Sequence, residues 1–112
     1  MTGSPKDVVE AAFRHYLAQD RAAALPLCAD DFTFTSPQDD HIDKAAFFDR
    51  CFPTAGRLRE QRLLHVVPAD DELVFAHYEY ELKTGARHRN VEAITVRDGL
   101  VREVRVFFGG TV

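Results

Sequence analysis

Residues 72–108 read ELVFAHYEYELKTGARHRNVEAITVRDGLVREVRVFF. Within the stretch, Val74, Ala76, Tyr78, Tyr80 and Leu82 alternate with His77, Glu79 and Glu81. A period of two is that of a strand with unlike faces, because successive side chains point to opposite sides of the sheet. A second run covers Arg87 to Val96 and a third Leu100 to Phe108. Asp98-Gly99 joins the last two and is a strong hairpin signal, since both residue types tolerate the left-handed backbone of a tight turn. Thr84-Gly85 is a plausible two-residue turn between the first two. Upstream, Leu58 to Val67 is one more strand-like run.

The first half of the chain has the other period. Ser4 can cap a helix, Pro5 fits its first position, and Asp7 stands where a capping-box acid belongs. Val8, Val9, Ala12, Phe13, Tyr16 and Leu17 then make one apolar stripe at helical spacing. Asp20 can cap a second, shorter helix through Ala22 to Leu25, with a kink or early end at Pro26, which lacks an N–H donor. Phe32 to Thr35 reads as a short strand joining a sheet edge. Gln38 to Asp43 is a polar loop. Asp43 can cap a third helix, Lys44 to Phe52, stopped by Pro53. Three helices followed by hairpin-linked strands make an α+β fold, a curved antiparallel sheet wrapped around three N-terminal helices.

The chain has 112 residues, 46% of them apolar and 29% charged, which is the balance of one globular domain, here residues 1–112. A net charge of −4 lacks the basic footprint of a nucleic-acid binder and does not favour anionic membranes. There is no apolar run of the ~18 residues a membrane span needs, and Met1 to Pro5 holds no secretory signal. The expected location is the cytoplasm. There Cys28 and Cys51, which lack metal or redox spacing, are expected to be buried free thiols.

The run Ala29-Asp30-Asp31-Phe32-Thr33-Phe34-Thr35-Ser36-Pro37, after two helices and before a third, resembles a segment of the SnoaL-like branch of the nuclear transport factor 2-like superfamily. Asn90-Val91-Glu92, Val96 to Val101 and Val104 to Gly109 are similar to the same branch. The resemblance covers nearly the whole chain. It implies a cone made of a bent sheet and three helices, with an internal pocket. It does not fix an activity, because the fold hosts isomerases, cyclases, hydrolases, dehydratases and non-catalytic binding modules. Ungapped counting puts Ala12 and Ser36 at the positions of the steroid isomerases' tyrosine and general-base aspartate. Neither residue can do that chemistry unaided. The third isomerase acid falls on Glu92. Arg89 and Glu92 resemble part of the water-activating set of the epoxide hydrolases, but at a different spacing. The polyketide cyclases place a carboxylate acid/base on this strand with a histidine on the preceding one, which implies Glu92 and His77.

Two registers are open for the 72–82/87–96 hairpin. A two-residue turn sets His77 opposite Glu92 and Glu79 opposite Asn90, giving a carboxylate–imidazole proton-transfer pair. A three-residue turn slips the register by one and brings Tyr78 and Tyr80 onto the face of Asn90 and Glu92, giving phenol donors instead. Burial would raise the Glu92 pKa, while a protonated His77 beside it would lower it, and the sequence does not say which effect wins. Glu92 and His77 are thus the candidate catalytic residues. Tyr16, Phe34, Ser36, Phe48, Tyr78, Asn90 and Phe108 are the candidate ligand contacts around a small apolar molecule. No cofactor is implied. The 38–43 loop has three acids and His41, but Asp43 is needed as a cap and the others lie along an extended segment, so a metal site is not expected. Arginines of the last two strands are expected to pair with Glu79, Glu81 and Glu103. The outer sheet face is expected to meet a second copy in a homodimer. Two function classes stay open: a cofactor-free isomerase, cyclase or lyase acting on an apolar carbonyl or polyketide-like substrate, and a non-catalytic ligand-binding or dimerisation module.

Overall fold

The computed structural model describes residues 3–112. Met1 and Thr2, part of the segment read as holding no secretory signal, lie outside the described residues. Helix α1 spans Pro5–Ala18 and starts on a capping box: Ser4 Oγ accepts from the Asp7 N–H (3.2 Å), and the Asp7 carboxylate accepts from the Ser4 N–H (3.3 Å). Its buried face carries Val8, Val9 and Phe13. Asp20 caps the four-residue helix α2, Arg21–Ala24, and the chain then tightens into a 3-10 turn, Leu25–Leu27, containing Pro26. The break expected at this proline is where the α-helix ends. Helix α3, Lys44–Arg50, is capped by Asp43, which accepts from the Ala46 N–H. It stops short of the expected Phe52. The Cys51 N–H makes its last helical bond, and a 3-10 stretch, Phe52–Arg57, contains Pro53 and leads into the sheet.

Six strands form that sheet: β1 Cys28–Thr35, β2 Ile42–Asp43, β3 Leu58–Pro68, β4 Leu73–Leu82, β5 Arg87–Arg97 and β6 Leu100–Thr111. Their order is β2-β1-β6-β5-β4-β3. The sheet is curved and unclosed. It is mixed, not wholly antiparallel as the hairpin pattern suggested, because β1 runs parallel to β6. That pairing joins the two halves of the chain and leaves no local trace in the sequence. Strand β1 also begins four residues before the expected Phe32, and the two-residue β2 lies outside it, within the segment expected to be loop.

The concave face of the sheet packs on the helices. Val8, Val9 and Phe13 of α1 meet Phe32, Val74, Ala76, Tyr78, Ile94, Val96, Val101 and Val104. A smaller cluster of Ala24, Phe48 and Phe52 closes the side near α2 and α3. On the outer rim arginines pair with acids: Arg87 with Glu79, Arg105 with Glu103, Arg59 with Glu81, Arg97 with Glu72 and Arg102 with Asp31. No helix among the described residues is long and apolar enough to cross a membrane.

The hairpin register is the one a three-residue turn gives. Leu82 N–H donates to the Ala86 carbonyl and Gly85 N–H to the Leu82 carbonyl. Lys83, Thr84 and Gly85 therefore form the loop. Gly85 takes the positive φ of 94° that a three-residue turn requires at its last position, where a side chain would be strained. Tyr78 faces Asn90 and Ala76 faces Glu92, while His77 faces Val91. At the next hairpin Asp98 (φ 55°) and Gly99 (φ 76°) are both left-handed, and Arg97 faces Leu100 across the expected two-residue turn.

Candidate functional site

A cavity of about 790 Å³ opens between α1, α3 and the concave face of the sheet. Its wall is mostly apolar, with Val9, Phe13, Phe32, Phe34, Ile94 and Val104 among its lining residues. Two stretches of edge-to-face and tilted rings, Phe32–Phe47–Phe48–Phe52 and Phe34–Phe47, stiffen one side.

Into this hydrocarbon lining β4 and β5 project a connected polar group. The Tyr78 hydroxyl donates to Glu92 Oε2 at 2.6 Å, and Asn90 Nδ2 donates to the Tyr78 oxygen at 3.1 Å. Tyr78 and Asn90 are directly opposed across the strands, and Glu92 is the next inward residue along β5. A phenol–carboxylate contact this short is in the charge-assisted range. Burial pushes the Glu92 carboxyl up to about 7, and the Tyr78 hydrogen bond restrains the rise. Tyr78 moves the same way: burial raises its phenol far above its ordinary value, and the neighbouring Glu92 charge adds to the shift. Glu92 is thereby a carboxylate able to hold or release a proton near neutral pH, and Tyr78 stays a neutral donor.

The sequence-derived candidates fall into place unevenly. Glu92, Tyr78, Asn90, Tyr16, Phe34, Ser36, Phe48 and Phe108 all line the cavity. The Tyr16 hydroxyl donates to Thr54 Oγ1 at 2.7 Å, whose own proton goes to the Cys51 carbonyl. Phe48 is packed to 1% exposure, whereas Phe108 is 53% exposed and stands at the mouth against His88. Ser36 lies in the entrance loop, where its oxygen accepts from the Gln38 N–H. His77 is the exception: the expected pairing of His77 with Glu92 is not formed, and His77 does not line the cavity. The three-residue turn places it on the convex face, where its ring stacks on His65 at 5.4 Å with Nδ1 atoms 3.1 Å apart. It cannot reach Glu92 through the sheet.

The entrance loop does not gather a metal set. Asp39 turns toward Arg50 (3.3 Å) and Cys51, Asp40 pairs with His41, and Asp43 is the cap of α3. Among the described residues no group of three metal-ligating side chains converges. Burial and the adjacent Asp39 charge push the Cys51 thiol up to about 11, and burial does the same to Cys28, so neither is an activated nucleophile.

Gln61 and His88 line the cavity with no signal read in the sequence, and Tyr80 entered only under the three-residue turn. They are cross-strand neighbours, Gln61 opposite Tyr80 and Tyr80 opposite His88. Placing Tyr80 inward places the other two inward with it, so the register was the missing signal.

A bent sheet folded over helices around an apolar cavity, with a partly buried acid in its wall, defines a cone-shaped fold with an internal cavity. The SnoaL-like domain profile matches residues 9–104, and the chain belongs to that family. No curated protein sequence matches it. Solved structures are similar in fold. A protein from Kribbella flavida DSM 17836 superposes with a TM-score of 0.80 at 23% identity, covering 91% of this chain and 84% of its own. A candidate ketosteroid isomerase from the same organism gives 0.78 at 18%, with 96% and 79% covered. A computationally designed 17-OHP binder gives 0.74 at 22%, covering 94% of each chain.

Proposed function

We propose that the cavity binds a small, largely apolar molecule and that Glu92 moves a proton on it without a cofactor. The observation that carries this reading is the Glu92 carboxylate held by the Tyr78 hydroxyl at 2.6 Å in the wall of a cavity of about 790 Å³. A general base works best with a pKa near the working pH, and Glu92 is raised to about 7. The chemistry is abstraction and return of a proton on carbon next to a carbonyl. As Glu92 takes the proton, its hold on the Tyr78 hydrogen weakens. The phenol is then free to donate to the oxygen on which charge develops. Asn90 is a positioning residue that keeps the Tyr78 oxygen oriented. The likeness to a candidate ketosteroid isomerase and to a designed 17-OHP binder supports an apolar carbonyl compound as the substrate class.

The test is a thermal-shift screen of apolar ketones, followed by exchange of their α-protons in D2O read by NMR. The wild-type protein should accelerate exchange with a rate rising through pH 7, and Glu92→Gln should slow it by at least about 100-fold. Equal exchange by both would remove the catalytic reading.

One pair of residues favours binding without chemistry. Ala12 and Ser36 both line the cavity at the positions where steroid isomerases carry a tyrosine and a base. Under that reading ketones raise the melting temperature of both forms and no exchange is seen.

The convex face is proposed to meet a second copy. It exposes Val67, Phe75 and Phe107, and carries the ion pairs Arg87–Glu79 and Arg105–Glu103 beside them. Charges of both signs around an apolar centre suit a self-complementary contact. Light scattering should give a dimer that Phe107→Glu dissociates; a monomeric wild type overturns this part. Free, high-pKa thiols at Cys28 and Cys51 fit the reducing cytoplasm expected from the sequence.

A further inference from the structure

Five residues with a hydroxyl group line the cavity: Tyr16, Ser36, Thr54, Tyr78 and Tyr80. Four of the five spend their proton inside the protein: Tyr78 donates to Glu92 Oε2, Tyr16 to Thr54 Oγ1, Thr54 to the Cys51 carbonyl and Ser36 to Gln38 Oε1. Among the described residues none accepts the Tyr80 proton. Gln61 Oε1 and His88 Nδ1, in its own cross-strand row, and Asn90 Oδ1, in the next, have no partner.

Those three atoms are sealed from the cavity, whereas Tyr80 is half-buried and its oxygen is not among the sealed atoms. Burial raises the Tyr80 pKa and the Asn90 amide restrains the rise, so the phenol keeps its proton at neutral pH. Glu92 offers a matching acceptor. Its Oε2 is held by Tyr78, while Oε1 has no partner and is not sealed either. The two groups stand at different depths. Rows Tyr80–His88, Tyr78–Asn90 and Ala76–Glu92 run inward from the mouth, where Phe108 packs on His88. The Tyr78 and Tyr80 rings are 6.1 Å apart, and Glu92 reaches back to the Tyr78 hydroxyl. The Tyr80 hydroxyl and the carboxylate thus bracket a gap of about one inward step along the strand, roughly 7 Å. A carbonyl oxygen roughly 3 Å from the phenol, with its neighbouring carbon roughly 3 Å from the carboxylate, fills that gap.

We propose that the Tyr80 hydroxyl receives the ligand's carbonyl oxygen, turning it toward the mouth while the neighbouring carbon meets Glu92 deeper in the cavity. The proposal rests on the reading that the cavity binds an apolar carbonyl compound, and adds how that compound lies and which phenol meets it first. Tyr80 gains this hydrogen bond without breaking one inside the protein, whereas Tyr78 would first have to release Glu92. As the proton leaves carbon, charge develops on an oxygen that Tyr80 already holds. Tyr78, released as Glu92 takes up the proton, becomes the second donor to it.

The probe is 2-acetonaphthone labelled with carbon-13 at its carbonyl carbon, whose NMR signal moves downfield when the oxygen accepts a hydrogen bond. Bound to the wild type, the signal should lie downfield of its position in cyclohexane. Tyr80→Phe removes only the hydroxyl and keeps the ring against His88. It should still bind the ketone, lose most of the downfield shift and slow α-proton exchange by about 100-fold. Tyr78→Phe and Glu92→Gln should keep most of the shift, because neither touches the resting donor. A shift that survives Tyr80→Phe overturns the assignment, and its loss in Tyr78→Phe instead would give the carbonyl to that phenol. A ketone that binds the wild type with no downfield shift also overturns the assignment and leaves the cavity reading standing. A ketone that neither raises the melting temperature nor gives a bound signal overturns both.

Discussion

The two faces of the β4–β5 hairpin are built from alternate residues of the same two strands, yet they are different chemical surfaces. The concave face carries Val74, Ala76, Tyr78, Asn90, Glu92 and Ile94, and its polar side chains, Tyr78, Asn90 and Glu92, are joined in one hydrogen-bond chain. The convex face carries Phe75, His77, Glu79, Val91 and Ala93, with an imidazole stack and rim ion pairs open to solvent. The loop Lys83–Gly85 therefore decides the chemistry. One residue fewer in that turn would send His77 inward and Tyr78 outward, exchanging a phenol for an imidazole beside Glu92.

The largest contrast should come from placing a charge on each face in turn. Val74 is 0% exposed and Phe75 39% exposed. Val74→Lys buries an unpaired ammonium and should cost more than about 4 kcal/mol, enough to unfold many domains of this size. Phe75→Lys should change monomer stability by less than about 1 kcal/mol. Urea denaturation of the pair measures both, and comparable losses would mean the faces are not as distinct as described.

Glu92→Gln extends the contrast to pH. The folded protein raises this carboxyl from 4.5 to about 7, so between those values the native state holds a proton that the unfolded chain has released. Stability from this group is full below about pH 4.5, falls as pH rises through 7, and is lowest above it, by an amount on the order of 3 kcal/mol. The glutamine amide carries no charge and keeps an oxygen for the Tyr78 hydroxyl. Glu92→Gln should therefore melt above the wild type at pH 8, with the gap closing toward pH 5. A gap that does not change with pH would contradict the burial of the carboxylate.

Tyr78→Phe removes the donor to Glu92 and leaves Asn90 Nδ2 without its acceptor. It should cost about 1–3 kcal/mol and move the Glu92 titration to higher pH, since the hydrogen bond that lowers it is gone. On the other face, His77→Gln should alter stability by no more than about 0.5 kcal/mol and leave the Glu92 titration where it was. A shift of that titration by His77→Gln would reopen the discarded register.

Legibility in the sequence followed the range of the interaction. The caps at Ser4, Asp20 and Asp43, the break at Pro26 and the Asp98-Gly99 turn are set by neighbours within four residues, and each stands where its residues suggested. Thr84-Gly85 misled because one glycine fits both turn lengths, and nothing local shows that Lys83 joins the loop. The parallel β1–β6 pairing and the two-residue β2 depend on contacts between distant segments. Glu92 is legible through the resemblance to isomerases and cyclases of the fold, and Tyr78 and Asn90 through the strand register that puts them on its face. Gln61 and His88 are not, because a polar residue on a charged strand reads as solvent-facing until its partner across the sheet is known.

The decisive measurement follows the carboxyl carbon of Glu92 by NMR across the range from acid to mildly alkaline pH. A midpoint near 7, moved upward in Tyr78→Phe, is the outcome expected of a buried acid held by a phenol inside an apolar cavity. A midpoint near 4.5, unmoved in Tyr78→Phe, would place the side chain in water and leave the cavity without its acid.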